Sequence, residues 1–325
     1  MRKTSKLLLL WFAASLSMVG FVAGFNIVVD PFGYFGTNSL GYYFSSERQF
    51  KFSLVRGYDY NAIILGDSRI AFTDPSYIKL PEYTFVNGGI AGASIAELVD
   101  LLSASRLHRL RLAVFGIEYG DLAHCSHVQA PENSATQREF GPWDALRFAG
   151  SWTQLHYAIT AVKARAHDRE PAYYADGTRS IVAKDFKESI LDGKTPRYWN
   201  KIQSKIEKSG DWPPKFELGP KCRELLAEAQ ELAERHNFAL LIVFLPRDSD
   251  LLGHWNWDDP KVREQVAQFL SQVEAVVPHV VDFSNSSFSD SRNFWLNDPL
   301  HFRPEVGAQV IQEAIGRSIG TRASE

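Results

Sequence analysis

Residues 62–68 read Ala-Ile-Ile-Leu-Gly-Asp-Ser, and this stretch decides the fold. An uninterrupted apolar run that ends in glycine and polar residues is typical of a central strand of a parallel sheet entering a turn. Similar short apolar runs follow at 83–86, 112–115, 239–245 and 280–283. Helical patterns separate these runs, and alternating strands and helices predict an α/β fold with a parallel sheet.

The predicted helices have an apolar face or recognisable ends. One covers about 94–105, with its isoleucine and leucine residues on one face. Others begin near Pro220 and at Asp259-Pro260, where an aspartate cap precedes a proline in the first turn. A closing helix is predicted over 304–319.

The N-terminus predicts a membrane helix. Three basic residues lie within the first six positions, and an uncharged stretch then runs over Leu7–Val29. At about 1.5 Å per residue, such a helix crosses a hydrocarbon core of about 30 Å. The basic flank predicts a single-pass inner-membrane protein whose body is periplasmic or otherwise extracytoplasmic. A cleaved signal peptide ending near Val22-Ala23-Gly24 is the alternative, but the apolar run continues to Val29, which favours an anchor over 1–29.

The rest of the chain divides into an irregular segment over 30–60 and one α/β domain over 61–325. The first is rich in Gly, Tyr and Phe and shows neither helical nor strand periodicity. Within the domain, residues at about 123–217 interrupt the alternation and predict a mostly helical insertion. Four tryptophans in polar contexts fit either a groove for sugar rings or packing of the insertion against the sheet. They are Trp199, Trp212, Trp255 and Trp257.

Composition excludes several classes of protein. With 35 basic and 38 acidic residues, the formal net charge is −3, which gives no electrostatic case for binding nucleic acid. The two cysteines, Cys125 and Cys222, form neither a disulfide framework nor a zinc knuckle, although they could pair in an exported domain. The sequence His124-Cys-Ser-His127 lacks the usual ligand spacing and a second ligand group, so no metal is expected.

Polar and glycine-rich residues follow several of the predicted strands. These stretches are 66–69, 87–92 and 116–118, and a late loop over 297–301 adds a fourth. In an open parallel sheet, ligands bind beyond the carboxyl ends of the strands. The coincidence of the four stretches therefore predicts a functional site at this edge of the sheet.

A candidate nucleophile and its partners follow from these stretches. A serine hydroxyl attacks efficiently only when a base removes its proton and a carboxylate orients the base. Ser68 stands at the start of a predicted helix, where its own N–H would point toward a developing oxyanion. Asp298 and His301 are three residues apart in a proline-containing loop, so the carboxylate can reach the imidazole. Gly89 would let a backbone N–H approach the oxyanion.

These residues resemble the conserved blocks of the SGNH/GDSL hydrolase superfamily. Gly66-Asp67-Ser68 is similar to the first block, Gly89 to the glycine of the second, and Asp298-Pro-Leu-His301 to the final Asp-x-x-His block. The resemblance covers roughly residues 61–122 and 220–320 and leaves the insertion unexplained. It implies a flavodoxin-like three-layer sandwich and acyl chemistry on esters.

One position departs from the family pattern. The third block normally ends in Gly-x-Asn, whose amide donates to the oxyanion, but here the sequence is Gly116-Ile-Glu118. An ionised glutamate only accepts hydrogen bonds, and loss of one such donor costs about 10²–10³ in rate. Arg69 could replace the donor, Glu118 could be protonated, or activity could be weak or absent. A structural partnership of Glu118 with Arg69 or another base is the favoured interpretation.

The sequence thus predicts an exported serine-dependent acyl esterase or O-acyltransferase acting on a cell-envelope or secreted polysaccharide. The layout resembles membrane-anchored proteins of alginate acetylation and teichoic-acid D-alanylation, which implies acyl transfer to a surface polymer. A metal or organic cofactor is not required. Two alternatives stay open: a catalytically silent polysaccharide-binding or assembly protein with the same fold, and a scaffold that recruits a membrane protein as acyl donor.

Overall fold

The chain forms a parallel sheet surrounded by helices. The computed structural model describes residues 2–43, 47–125, 142–180, 196–208, 216–254, 256–295 and 298–319. Within them the strands are β1 Ala62–Gly66, β2 Phe85–Asn87, β3 Leu112–Ile117, β4 Ala239–Phe244, β5 Val280–Asp282, β6 Phe294–Trp295 and β7 Asp298–Phe302. The α-helices are α1 Arg2–Val29, α2 Glu47–Gly57, α3 Ser68–Ala71, α4 Ile95–Ser103, α5 Tyr119–His124, α6 Pro142–Ala149, α7 Trp152–Ala166, α8 Pro196–Lys208, α9 Pro220–His236, α10 Ser249–His254, α11 Pro260–Glu274 and α12 Pro304–Ser318.

Five strands form the main sheet in the order β2-β1-β3-β4-β5. Every neighbouring pair is parallel, and Gly66 at the end of β1 lies opposite Gly116 of β3. The predicted α/β class with a parallel sheet is therefore confirmed. The second strand lies at Phe85–Asn87 rather than at 83–86, because Tyr83 is still in a turn in which its N–H donates to the carbonyl of Leu80.

Alternate residues of the strands enter two different hydrophobic clusters. In β1, Ile63 and Leu65 pack with residues of α4, α9 and α11, whereas Ala62 and Ile64 pack with residues of α12. Side chains of a strand point alternately to opposite faces of the sheet, so β1 is buried on both faces. This burial explains why the strands read as continuous apolar runs instead of alternating with polar residues.

The N-terminal helix α1 is long and apolar enough to cross a membrane, over Ser5–Val29. Most of its side chains are exposed, but Asn26 and Val29 near its end are buried. The helix contacts α6 and α7 of the insertion. The predicted apolar N-terminal helix is thus present, and its last turn is packed against the rest of the chain.

The segment over 30–60 is more regular than its sequence suggests. Its second half forms α2, so the expectation of an irregular segment is wrong there. Six consecutive residues, from Phe50 to Val55, are buried in α2. Lys51 and Ser53 are among these buried residues, so polar side chains interrupt the apolar ones and no apolar stripe with the helical period is visible in the sequence.

The late polar stretch is also more regular than predicted. Asp298–Phe302 is strand β7, which pairs with β6 in an antiparallel hairpin, whereas the sequence suggested a loop. The proline at position 299 favoured the loop, yet a proline is tolerated near the start of an edge strand. The described part of the insertion carries α6, α7 and α8, and Tyr173 adds isolated bridges to Tyr43 and Arg179.

A disulfide joins the beginning of the insertion to the helix that follows it. Cys125 and Cys222 are bonded with their Cα atoms 5.5 Å apart and a sequence separation of 97 residues. Cys125 follows α5 directly, and Cys222 is buried in the first turn of α9. The pairing that the sequence left open is therefore present, and it closes the base of the insertion.

Reduction of this disulfide is predicted to lower the free energy of unfolding by about 4 kcal/mol, because so long a closed loop restricts the unfolded chain. Urea unfolding with and without dithiothreitol measures the difference. The double variant Cys125→Ala/Cys222→Ala is the control, since its unfolding midpoint should not respond to the reductant. Two free thiols detected by maleimide in the non-reduced, denatured parent protein would contradict the bond.

Candidate active site

The first component of the site is the short helix α3, which begins directly after β1. Asp67 caps this helix because its Oδ1 accepts from the backbone N–H of Arg69 at 2.9 Å. Ser68 is therefore the first residue of α3 and lies beyond the carboxyl end of a central strand. Asp67 therefore orders the turn, and Ser68 is carried by the helix.

The backbone of α3 lies very close to its neighbours. A Cβ atom on Gly89 would come within 2.4 Å of the backbone nitrogen of Ala71, and one on Gly66 or Gly116 would come within 2.5 Å of the Ile70 side chain. Real Cβ atoms do not approach other atoms so closely. Glycine at these three positions therefore lets α3 pack directly on the ends of β1 and β3 and on the loop after β2.

Asn87 at the end of β2 fixes the loop against α3. Its Nδ2 donates to the carbonyls of Ile70 and Thr73, both at 2.6 Å, and its Oδ1 accepts from the N–H of Gly89 at 2.8 Å. The Gly89 N–H, which the sequence suggested as an oxyanion donor, is thus used within the loop. In this structure Gly89 serves close packing.

A buried lysine, Lys51, also holds the loop that follows β2. Lys51 of α2 donates from Nζ to the carbonyls of Asn87 at 2.8 Å and Gly177 at 2.6 Å. Burial lowers the pKa of Lys51 to about 7, although the charges of Glu47 and Asp176 oppose the shift. No local pattern predicts this role of Lys51, because the residues of α2 show no helical period.

Ser68, His301 and Asp298 form one hydrogen-bonded chain. The Oγ of Ser68 lies 2.8 Å from Nε2 of His301, and Nδ1 of His301 lies 3.0 Å from Oδ2 of Asp298. Because a carboxylate can only accept, Nδ1 carries the proton, and Nε2 is the ring nitrogen that can accept the hydroxyl proton of Ser68. The structure brings together the three residues that the sequence proposed, from segments 233 positions apart.

Asp298 reaches His301 although both lie on one strand at an odd spacing. Successive side chains of a strand point to opposite faces, so Asp298 must fold back along β7. Its Oδ1 accepts from the backbone N–H of Leu300 at 3.1 Å, which leaves Oδ2 for the imidazole. The backbone hydrogen bond thus sets the orientation that the pair requires.

The insertion contributes a cation to the same carboxylate. Lys201 of α8 places its Nζ 2.5 Å from Oδ2 of Asp298. Burial would raise the pKa of Asp298, but the hydrogen bond and charge of His301 and those of Lys201 hold it well below its ordinary value. Asp298 is therefore a carboxylate at neutral pH, and the insertion forms part of the site.

Aromatic and cationic side chains support the imidazole ring. Phe72, directly after α3, contacts the ring of His301 edge-on with centroids 5.7 Å apart. The guanidinium of Arg179 lies 5.4 Å from the centroid of Phe72, and Arg179 pairs with Glu47 at 3.6 Å. Phe72 is fully buried. These contacts restrict the imidazole to the orientation in which it faces Ser68.

Glu118 is held between two buried arginines. Its Oε1 lies 2.5 Å from Nη1 of Arg69, and its Oε2 lies 3.1 Å from Nη2 of Arg247. Arg69 also pairs with Asp67 at 3.3 Å. Two guanidinium partners favour the ionised carboxylate, so the geometry agrees with the structural partnership of Glu118 and Arg69 that the sequence favoured. Both terminal nitrogens of Arg69 are engaged by acidic residues.

A third carboxyl group lies against this cluster. Asp121 of α5 accepts from the backbone N–H of Glu118 at 2.8 Å. Burial, followed by the charges of Glu118 and Asp67, raises the pKa of Asp121 to about 7. Near neutral pH the cluster can therefore hold a proton on Asp121.

Two residues of the site, Arg247 and Lys201, are not predicted from the sequence. Arg247 follows β4 and lies at a fourth strand end, so the rule that led to Ser68 and Glu118 could also have found it. Lys201 carries no such signal, since only the packing of α8 on β7 brings it to Asp298.

The described residues hold no group of three metal-ligating side chains. Cys125 is in the disulfide, and His127 lies outside the described residues.

The four tryptophans suggested as a glycan groove do not share one environment. Trp257 is buried in the core beside Tyr119, which agrees with a packing role. Trp199 on α8 is half exposed, on the helix that carries Lys201. Trp212 and Trp255 lie outside the described residues.

No protein-family model matches this chain, and a search of curated proteins finds no similar sequence.

The replacement Gly89→Ala is predicted to lower the free energy of unfolding by about 2–3 kcal/mol, because the new methyl group overlaps the backbone of α3. Gly120→Ala is the matched control. Gly120 is a helical glycine with no atom within 4 Å of an added Cβ, so alanine there should be neutral or stabilising. Equal thermal stability of the two variants would contradict the close packing of Gly89.

The replacement Glu118→Asn is predicted to lower the free energy of unfolding by about 3 kcal/mol, because two buried arginines lose their shared partner. Urea denaturation at neutral pH measures the loss. The control is Asp59→Asn, which breaks an exposed pair with Arg109 and should change stability by less than about 1 kcal/mol. A Glu118→Asn variant as stable as the control would show that the cluster is not a structural element.

Proposed function

We propose that this protein is an exported serine-dependent acyl esterase or O-acyltransferase of the SGNH/GDSL type, acting on a cell-envelope or secreted polysaccharide. The observation that carries the proposal is the hydrogen-bonded chain from Ser68 through His301 to Asp298, with distances of 2.8 and 3.0 Å. Nucleophile, base and orienting carboxylate in this sequence are the arrangement that makes a serine hydroxyl reactive.

The fold supports this proposal. A strand order of 2-1-3-4-5 is that of flavodoxin-like doubly wound sheets, in which ligands bind beyond the carboxyl ends of the strands. Alternate residues of β1 pack against different helices on the two faces of the sheet, as they would in a three-layer sandwich. Ser68, Glu118 and Arg247 all follow the carboxyl ends of sheet strands.

The first half-reaction transfers the acyl group to Ser68. The Oγ of Ser68 attacks the carbonyl carbon of the ester while Nε2 of His301 takes the hydroxyl proton. The tetrahedral intermediate then collapses, the ester C–O bond breaks, and His301 returns the proton to the leaving alkoxide. An acyl-serine and an alcohol result, with Asp298 stabilising the transient imidazolium.

The second half-reaction decides between hydrolysis and transfer. Water or a sugar hydroxyl attacks the acyl-serine carbonyl, His301 takes the proton of the attacking group, and Ser68 leaves as the hydroxyl after receiving that proton. Water gives a free carboxylic acid, whereas a sugar hydroxyl gives a new ester on the polymer. In the transfer reaction, a membrane protein that delivers acyl groups would be the partner.

The oxyanion receives less support than in the family pattern. The first N–H groups of a helix have no intrahelical acceptor, so the N–H of Ser68 at the start of α3 is the donor available to it. Glu118 accepts from two arginines and offers no donor. We therefore propose slow turnover on simple esters, with further stabilisation supplied by the natural substrate.

Export and anchoring rest on two observations. Helix α1 is long and apolar enough to cross a membrane and is preceded by basic residues, which favours an extracytoplasmic body. The disulfide between Cys125 and Cys222 suits an oxidising compartment outside the cytoplasm. The polysaccharide substrate fits the same location.

A second candidate function is a catalytically silent protein of the same fold that binds polysaccharide. The specific observation in its favour is Glu118, since the ion pairs with Arg69 and Arg247 put a charged strut where the family has an amide donor. The hydrogen bonds from Ser68 through His301 to Asp298 would then stabilise the structure of the site without catalysing a reaction. The experiment below separates the two functions.

A fluorophosphonate probe is predicted to label Ser68, because phosphonylation needs the activated hydroxyl and no natural substrate. Peptide mapping of the labelled protein locates the adduct. Ser68→Ala should abolish labelling, and His301→Gln should slow it by about 10³-fold or more. Ser94→Ala, at the N-cap of α4, is the matched control and should label like the parent. A folded parent protein that resists the probe would favour the silent binding function.

A further inference from the structure

The end of α1 is fastened to the junction between α6 and α7. Asn26 is fully buried, and its Nδ2 donates to the carbonyls of Ala149 at 2.7 Å and Ser151 at 3.2 Å. Val29 packs with the alanine residues of α7. These contacts fix the position of the α6–α7 junction along the axis of α1.

That position is the boundary of the bilayer that α1 is proposed to span. The apolar span has 25 residues and ends at Val29. At about 1.5 Å per residue, about 20 of these residues cross the hydrocarbon core, so the last turn reaches the headgroup region. Asn26 lies in that last turn, and its partners Ala149 and Ser151 are therefore held at the level of the lipid headgroups.

Around this junction, large apolar side chains are exposed in the part of the chain that the structure describes. Trp143 is 81% exposed, Trp152 is 80% exposed and Leu146 is 63% exposed. Trp143 and Leu146 are three residues apart on α6, so they share one face of the helix. Trp152 begins α7 immediately after Ser151. Their exposure is unusual for tryptophan, whose large apolar ring is normally buried or occupied by a partner.

We propose that Trp143, Leu146 and Trp152 form a membrane-contacting surface that lies in the headgroup region of the bilayer spanned by α1. The inference rests on the proposed membrane anchor and adds a second contact with the lipid. Tryptophan suits this region, because its ring is apolar and its indole N–H is polar, and it is enriched at membrane–water boundaries for that reason. The hydrogen bonds of Asn26 place the surface where such an environment exists.

A second contact limits the orientations of the body. A domain held only by one helix can rotate and tilt about its attachment, whereas a helix that lies on the lipid removes part of that freedom. The surface belongs to the same insertion that supplies Lys201 to Asp298. The insertion thus carries both Lys201 of the candidate active site and the proposed membrane-contacting surface.

The experiment uses the full chain in phosphatidylcholine nanodiscs with single engineered cysteines. Because both native cysteines are in the disulfide, an environment-sensitive maleimide dye will react only at the new position. The test positions are Trp143→Cys and Trp152→Cys, with Leu146→Cys as a replacement if either variant loses the thermal stability of the parent. Leu16→Cys in α1 reports the anchor, and Glu231→Cys on the exposed face of α9 is the control for a position in water. Lipids that carry a nitroxide near the glycerol backbone serve as quencher for positions 143, 152 and 231. Lipids that carry it near the end of the acyl chain serve as quencher for position 16, which lies near the middle of the apolar span.

The expected result is strong quenching at positions 143 and 152, with a blue-shifted emission, and no quenching at 231. Quenching at 16 together with emission at 143 and 152 that matches position 231 would overturn the surface and leave the anchor intact. A protein partner would then be the candidate for the exposed tryptophans. Absence of quenching at 16 would overturn the anchor itself and the membrane-contacting surface with it.

Discussion

The close approach of α3 to the ends of β1 and β3 is the constraint on which the candidate site depends. Gly89 lies directly against the backbone of α3, and Gly66 and Gly116 leave the space that the Ile70 side chain of α3 occupies. Asn87 then holds the helix and the residues after it by donating to the carbonyls of Ile70 and Thr73. A helix of four residues has little stability of its own, and its neighbours therefore determine where the Ser68 hydroxyl lies.

The second half of the site depends on charges brought from distant parts of the chain. Asp298 receives His301 from its own strand and Lys201 from the insertion. Glu118 receives Arg69 from the first half of the chain and Arg247 from the second. Apart from the pair of Asp298 with His301, each of these pairs connects segments that lie far apart in sequence, so the electrostatics of the site is a property of the assembled domain.

This dependence explains which features could be predicted from sequence. The strands could be found because burial on both faces leaves an unbroken apolar run, and Ser68, Asp298 and His301 could be found because they follow local rules of strand ends and spacing. Helix α2 is not predicted, because Lys51 and Ser53 interrupt the apolar residues among its six buried positions and hide the helical period. Lys201 and the strut formed by Glu118 with Arg247 depend on contacts between elements, which no local pattern encodes.

The bond between Cys125 and Cys222 has a further consequence when a protease cleaves the chain. A single cleavage of the chain between these two residues would not separate the products, since the sulfur bridge still joins them. Ser68 would then reside on one polypeptide fragment and His301 on the other, within one covalent molecule. The insertion can therefore be nicked without dissociation of the two halves that supply the nucleophile and its base.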